Sequence, residues 1–570
     1  MNKSIEKFNR WMTYPKMPEA LRSELKAMSG DHNKIEEAFY KELEFGTSGL
    51  RGIMGPGSNR MNCFVVAKVT QGLSNYINKT LKNAESNKKS PSVVLSYDSR
   101  HNSREFAKIT AEVLSANGIT AYIFKEMLPV SLLSFAIRYL GCDYGIMMTA
   151  SHNSKEYNGY KVYNRHGGQI LGSEPQEILD EIDKIDIFDD VKAATTDNVI
   201  WLGDEVKNAY LEETAAKSLR FGVNTEGDKP KDIENLKVVY SPLNGSGRVP
   251  VSELLEKIGL KHLYFVPEQK MPDGDFTTCP KPNPERPEVY ELGIALMKEK
   301  KADLLIVTDP DCDRIGVASG DTIFTGNQLG MLLFDYICRN KKPMPLNPVA
   351  VRSIVSSPML DAIAANYEVE VKNTLIGYKY IGEMMDDLKE RYIFGFEEGN
   401  GYLAFDHMRD KDGVSTAMLV CEMTAEFKAQ GITLEKALKK LYKKYGYYGE
   451  KVINYSFEGK AGLERREHVM DYLRGDVENA INGYEVKEVI DYKLQQKHYI
   501  DLGIGSYTEL PVSNILEYHF DKGQKFIVRP SGTEPNLKAY LFARSKYQGG
   551  VAKRIEKMDK EITRIVNEEQ

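Results

Sequence analysis

Three aspartates alternate in Asp309-Pro-Asp311-Cys-Asp313-Arg314, directly after the apolar run Leu304–Thr308. Carboxylates this close repel unless a cation neutralises them, and hard oxygen ligands of this kind suit Mg2+. A calcium EF-hand loop requires glycine sixth and glutamate twelfth, where this chain has Arg314 and Gly320. A solvated acidic turn is the bland alternative, and the apolar strand expected just before it speaks against that. Arg314 can temper the acidic cluster. A second loop, Thr149-Ala-Ser151-His152-Asn153, follows the apolar run Tyr144–Met148. A serine at the C-terminal end of a strand stands where open α/β sheets hold ligands, and its hydroxyl is a candidate nucleophile. Read alone, Ser151 is more simply a capping serine. Adjacency of Ser151 and His152 makes no hydrolase triad, because neighbours on a loop tend to point apart and G-x-S-x-G is absent.

Two further loops carry polar chemistry. Glu397 and Glu398 lie in a glycine-rich turn, Gly395 to Tyr402, after an expected strand Tyr392–Phe394. They are adjacent, whereas a glycosidase acid and base face each other across a cleft. Arg529-Pro-Ser531-Gly532-Thr533-Glu-Pro535 offers backbone and side-chain donors to a phosphate, with arginine giving a forked pair. Read alone, that loop is also a plain turn.

The elements that must hold these loops alternate strand and helix. Val93–Tyr97 reads as a strand, Ser103 as the cap of a helix carrying Phe106, Ile109, Val113 and Leu114, Gly118 as its end, and Ile119–Phe124 as the next strand. This order implies parallel pairing with a right-handed crossover. The pattern recurs: Val238–Tyr240 precedes a helix at Pro250–Ile258, a helical run Arg286–Lys300 precedes Leu304–Thr308, and Ala350–Val355 precedes the cap Ser357-Pro358. The last stretch differs. Lys451–Ser456 and the Arg529 loop, followed by a helix with Val551, Ile555, Met558, Ile562 and Ile565, predict a helix covering a small antiparallel sheet. Residues 1–44 read as a helical preface, with Ile5, Phe8 and Met12 on one face, and Lys82–Pro91 as a polar surface loop.

The 570 residues exceed what one hydrophobic core organises, suggesting roughly three to five domains. With 42% hydrophobic and 28% charged residues the composition is that of a globular protein, and a net charge of −6 argues against nucleic-acid binding. Six scattered cysteines without a C-x-x-C pair read as reduced thiols. The N-terminus lacks a signal-peptide stretch, and no apolar run nears the ~20 residues of a membrane span, so the expected setting is cytoplasmic with no membrane partner.

In this order the four loops resemble those of the α-D-phosphohexomutases, the phosphoglucomutase and phosphomannomutase superfamily, and within it the longer phosphoglucomutase- and phosphopentomutase-like branch. The likeness runs from about Phe45 to the C-terminus. It implies three doubly wound, mixed-sheet α/β domains and a smaller C-terminal α+β domain around a central cleft: a helical extension at 1–44, then 45–203, 204–320, 321–450 and 451–570. It implies that Ser151 carries a phosphoryl group whose oxygen joins Asp309, Asp311 and Asp313 around one Mg2+, with Asn153 and Arg314 beside it. Arg51, in F-G-T-S-G-L-R-G, matches the family arginine near the phosphoserine. Lys161 in N-G-Y-K and Lys411 in R-D-K-D-G match lysines near the reacting hydroxyl, and with His152 they are the candidates for proton transfer. A lysine used this way needs a lowered pKa. Gly377 and Lys379 correspond to the loop that senses sugar orientation; Glu397 matches the residue gripping sugar hydroxyls, while Gly399 replaces a family serine. Arg529, Ser531, Gly532 and Thr533 match the loop binding the non-reacting phosphate.

The implied activity interconverts glucose 1-phosphate and glucose 6-phosphate, with glucose 1,6-bisphosphate as intermediate and activator, in a monomer or homodimer. Hexose or pentose monophosphates are the implied partners. Phosphomannomutase or phosphopentomutase action, a serine-dependent sugar phosphatase and a non-catalytic sugar-phosphate sensor remain alternatives.

Overall fold

The computed structural model describes residues 3–46, 49–83, 90–221, 231–457, 459–475, 481, 483–531 and 536–568. The first sheet orders Leu50–Ile53, Tyr157–Asn164, Tyr144–Met148, Ser92–Tyr97, Thr120–Phe124 and Val199–Leu202, the last four parallel and the first two antiparallel. Its central strands, Ser92–Tyr97 and Tyr144–Met148, are buried at consecutive positions because helices cover both faces. Val93 and Leu95 point into one apolar cluster and Val94 into the other. The second sheet places Leu304–Thr308 between Lys237–Ser241, parallel to it, and Ile315–Ser319, antiparallel. The third pairs Val349–Ser353 in parallel with Glu370–Thr374 and Tyr392–Glu397, and Gly401–Leu403 closes its edge antiparallel. These are the expected mixed α/β units. One continuous apolar cluster runs through all three, around the helix Gly413–Ala429, whose positions from Gly413 to Glu426 are all buried.

The last sheet has seven strands, all antiparallel. The side chains of its central strands alternate, with a bulge in Val486–Asp491. Phe526 and Val528 face the helices Gly459–Gly475 and Gln548–Glu568, while Ile527 faces Ile354, Val355 and Leu375 of the third unit. Period-two alternation thus sorts each strand into a row for its own core and a row for its neighbour. Lys525 Nζ, buried in that contact, donates to Ile354 O at 2.6 Å.

The preface forms three helices, Lys3–Thr13, Glu19–Met28 and His32–Phe39, packed on the first unit through Phe64 and Phe188. Phe8 is buried as expected. Trp11, which periodicity overlooked, is the hub, set edge-on against Phe39, Phe64 and Phe188.

Some boundaries differ from expectation. Ser103 is the first residue of its helix and Asn102 (φ 64°) occupies the cap position, because the Ser103 hydroxyl is drawn to the Asp98 carboxylate at 2.7 Å. The strand expected over Ala350–Val355 ends at Ser353, and Ile354 and Val355 turn toward the last sheet. The helical run from Arg286 splits into a 3-10 turn, Pro287–Tyr290, and a helix, Glu291–Lys300. The helix after Ser357 begins at Met359 with Pro358 at the cap, one residue later than expected. Tyr392–Glu397 is a longer strand, so Glu397 ends a ladder rather than sitting in the turn. Most of Lys82–Pro91, together with Gly532 and Thr533, lies outside the described residues. All six cysteines are free, and among the described residues no helix is long and apolar enough to cross a membrane.

Candidate active site

Each loop leaves the C-terminal end of a strand. The Asp309 loop is stitched to both neighbouring units: Val130 N donates to Asp311 O at 3.1 Å, Gly413 N to Cys312 O at 3.0 Å, and Ile315 N to Asn400 O at 3.0 Å. Gly245 explains how it is cradled within its own unit. A Cβ there would lie 2.5 Å from Pro310 Cα, so only glycine lets the Asn244–Gly247 turn close and Ser246 N reach Pro310 O at 2.8 Å.

Ser151 takes a left-handed backbone (φ 52°) and is buried. Its hydroxyl donates to Asp309 Oδ2 at 2.9 Å, joining two loops 158 residues apart. The same backbone turn brings Ser151 Oγ to 3.1 Å from His152 Nδ1, contrary to the expectation that these neighbours diverge. Burial, then Arg314 and Arg51, hold the His152 imidazole well below its ordinary pKa, so it is neutral. Arg51 Nη1 donates to Asn153 Oδ1 at 3.1 Å.

Asp309, Asp311 and Asp313 are fully or almost fully buried, with one oxygen from each lying within 4.8 Å of the others. Lys161 Nζ sits 2.8 Å from Asp311 Oδ2, and Lys411 Nζ 3.0 Å from Asp313 Oδ2. Burial and the two neighbouring carboxylates push Asp309 well above the carboxylate range. Burial also pushes Asp313 up, but Lys411, Lys161 and Arg314 outweigh it and hold that carboxyl low. Burial would lower Lys411, yet Asp313, Asp410 and Glu397 hold its ammonium above the ordinary value, opposite to the lowering a lysine base would need. Asp311 Oδ1 and Asp313 Oδ1 are buried and accept no hydrogen bond. Orphaned carboxylate oxygens beside a third acid fit a small, hard divalent cation.

The sugar turn lies alongside. Gly377 N donates to Glu397 Oε1 at 2.7 Å, and Ser353 Oγ to Glu398 Oε2 at 3.0 Å. Burial and Glu397 raise Glu398 to about 8. Lys379 folds back beside Gly377, its Cε 3.7 Å from where a Cβ on that glycine would stand. It lies over the Tyr380 ring and lines a cavity of about 530 Å3 with Gln169, Arg409 and Leu510. From the last unit, Arg529 reaches the Tyr540 hydroxyl, which also feels Glu398 and Glu285, and Arg529 Nε is buried without a partner. Ser531 N donates to Asn536 O at 2.8 Å, closing its loop.

Sequence reasoning missed the clamp beneath Ser151. Arg100 donates to the carbonyls of Ser151, Asn153, Ser154 and Tyr157 and pairs with Asp98, both side chains wholly buried. Thr149 Oγ1 donates to Asp98 Oδ2 at 2.6 Å and accepts from Ser151 N at 2.7 Å. The signal was an acid and an arginine, Tyr97-Asp98-Ser99-Arg100, immediately after an apolar strand.

Three mixed α/β units sharing one core are closed by an antiparallel unit, and a serine, three acids and two lysines meet at their junction. Models of the phosphoglucomutase/phosphomannomutase α/β/α domains I, II and III match residues 42–188, 208–322 and 325–445. A phosphoglucomutase of Staphylococcus haemolyticus is 36% identical over 519 residues, covering 89% of this chain and 91% of that protein. One of Staphylococcus aureus is 34% identical over 535 residues, covering 92% and 93%. The crystal structure of a Paramecium phosphoglucomutase, pp63/parafusin, in its open form superposes with a TM-score of 0.70 at 19% identity, covering 93% of this chain and 95% of that one. A Burkholderia thailandensis phosphoglucomutase/phosphomannomutase family protein gives 0.67 at 18% identity, covering 91% and 96%. The chain belongs to the phosphoglucomutase/phosphomannomutase family.

Proposed function

We propose that the protein is a phosphoglucomutase, an intramolecular phosphotransferase that interconverts glucose 1-phosphate and glucose 6-phosphate through phospho-Ser151. The observation that carries this reading is the Ser151 Oγ to Asp309 Oδ2 hydrogen bond of 2.9 Å, which sets a nucleophilic oxygen against a buried acid cluster. Asp309, Asp311 and Asp313 would hold Mg2+, whose chemistry when bound is to withdraw charge from a serine-held phosphate.

In the first transfer a free sugar hydroxyl attacks phosphorus. The bond to that oxygen forms, the bond to Ser151 Oγ breaks, and glucose 1,6-bisphosphate results. The hydroxyl proton must leave and the serine oxygen must gain one. Neutral His152 can hold a proton at Nδ1, 3.1 Å from Oγ, and the Lys161 and Lys411 ammoniums are donors within the same cluster. Arg51, Asn153 and Arg314, which lie beside Ser151 and His152, would surround the serine phosphate. Gly377, Lys379, Glu397 and Gly399 would meet the sugar, and Arg529, Ser531, Gly532 and Thr533 the distal phosphate. The bisphosphate then turns over and its other phosphoryl group returns to Ser151. The units taken as 45–203, 204–320, 321–450 and 451–570, after the preface 1–44, contribute one loop each to this scheme.

The test assays sugar 1-phosphates of glucose, mannose and ribose with wild type and Ser151→Ala, and maps phosphate by peptide mass. Highest kcat/KM for glucose 1-phosphate, phosphate on Ser151 and loss of turnover in the variant are expected. Steady release of inorganic phosphate to water would instead assign a phosphatase.

A further inference from the structure

Glu285, absent from the reading of the sequence, belongs to the second unit, yet its carboxylate reaches the sugar turn of the third. The Asn283–Pro287 turn that carries it is fixed. Tyr290 Oη donates to Pro284 O at 2.7 Å, Arg286 N to Asn283 O at 2.9 Å, and Glu285 N to Asn283 Oδ1 at 3.1 Å. From this base Glu285 Oε1 accepts from Arg314 Nη1 at 2.6 Å. Gly399 is the opening through which it passes: a Cβ at that position would stand 2.9 Å from Glu285 Oε1 and 3.5 Å from Arg314 Nη1. Any side chain at 399 and the present position of the Glu285 carboxylate therefore compete for one space.

We infer that Glu285 is a substrate-binding, specificity-determining residue, whose carboxylate occupies the space a side chain at position 399 would fill and accepts a hydrogen bond from a ring hydroxyl of the sugar phosphate. Arg314 engages only Oε1. No described residue donates to Oε2, and the side chain is 46% exposed, so that oxygen remains for a ligand. Its charge is felt at Glu398, Tyr402 and Tyr540, which places it among the sugar-turn and distal-phosphate residues rather than on the outer surface. An ionised carboxylate accepts and never donates, so it selects a hydroxyl by the direction in which that hydroxyl points. Because the turn is rigid, a sugar epimeric at the facing carbon presents no donor to it and leaves the acceptor unpaired.

The inference rests on the mutase reading, and its test uses binding so that the two fail separately. Calorimetry on the Ser151→Ala protein measures Kd for glucose 1-phosphate, mannose 1-phosphate and ribose 1-phosphate, with Mg2+ binding measured alongside. Glu285→Gln is expected to weaken the preferred sugar phosphate about 10-fold, the scale of a hydrogen bond to a charged group, to compress the ratio between sugars, and to leave Mg2+ affinity unchanged. Gly399→Ser should weaken binding in the Glu285 protein, where it displaces the carboxylate, but improve it in Glu285→Ala, where the serine hydroxyl enters the vacated space. Unchanged sugar ratios in Glu285→Gln, or equal damage from Gly399→Ser in both backgrounds, would overturn the assignment. Absence of mutase turnover in wild type would overturn the mutase reading alone, since the binding series is scored without it.

Discussion

Replacing Arg100 by methionine keeps the length of the side chain and deletes the clamp beneath Ser151. Four backbone carbonyls lose a donor, and the wholly buried Asp98 carboxyl, whose pKa burial already pushes up, loses its opposite charge. Breaking one side of a buried ion pair costs about 3–5 kcal/mol. Two of the carbonyl contacts, to Ser154 and Tyr157, run at 2.8 and 3.1 Å along one edge of the guanidinium, so their loss adds to that figure unless the loop relaxes into solvent. The loss should be local first, because the guanidinium ties down the carbonyl of Ser151 itself, which holds a left-handed φ, and that of Asn153 just after it. Amide exchange across Ala150–Asn153 reads this directly, and a global melting curve is a poorer measure for a chain of several units. In a cycle with Asp98→Asn, the double variant should recover about half the loss of Arg100→Met, since the unpaired acid is gone. Loop protection within about 0.5 kcal/mol of wild type in Arg100→Met, or strictly additive singles, would refute the reasoning.

Ser151→Ala should reduce turnover by about three orders of magnitude or more and abolish the phosphopeptide, read by kinetics and intact mass. Asp311→Asn removes a charged ligand beside an orphaned oxygen and should weaken Mg2+ binding by at least about 10-fold, measured by calorimetry, without moving the melting temperature of the last unit. Glu422, buried against Ser218 and Tyr336, is raised by burial to about 7. An acid with a raised folded pKa keeps its proton after the unfolded chain has released it, so its stabilisation, whole below about pH 4.5, is lost as pH rises to about 7. Glu422→Gln should therefore flatten the fall in stability between pH 5 and 8 by about 3 kcal/mol at most, seen in melting temperatures across that range. Lys525→Met leaves Glu517 with Tyr492 and His519 as its remaining partners and frees Ile354 O, and should lower the unfolding midpoint of the last unit before that of the others, followed by limited proteolysis.

What could be read without the structure was whatever depends on neighbours in sequence. Leu304–Thr308 announced a buried strand by five consecutive apolar or β-branched residues, and the Asp309 loop announced, by charge density alone, an acid cluster able to hold a cation. Lys161 and Lys411 were found through short motifs, but nothing in those motifs says that their ammoniums meet Asp311 and Asp313. That pairing comes from the strand Tyr157–Asn164 and from the turn before Gly413 converging on a third element. Trp11, Arg100 and Glu285 were missed for the same reason. Each has partners dozens of positions away, and a single charged or aromatic residue has no period to betray it; only Arg100 had a local sign, its neighbour Asp98. Ser103 misled because a serine before a helix usually serves the backbone, whereas here a buried carboxylate outbids it.

The alternating rows of the last sheet also govern how that unit can travel. It carries a complete core on its helical side, so it can move without unfolding, and it is tied to its predecessor through the strand beginning at Tyr447. Its other face rests on Ile354, Val355 and Leu375 through Ile515, Ile527, Tyr540 and Phe542. Lifting that face clear would wet several large side chains, at about 1.5–3 kcal/mol each. Sliding it sideways keeps them dry. On the proposed mechanism, a sugar bisphosphate exchanging its two ends would be best accommodated by a shearing twist of this unit rather than by an open jaw.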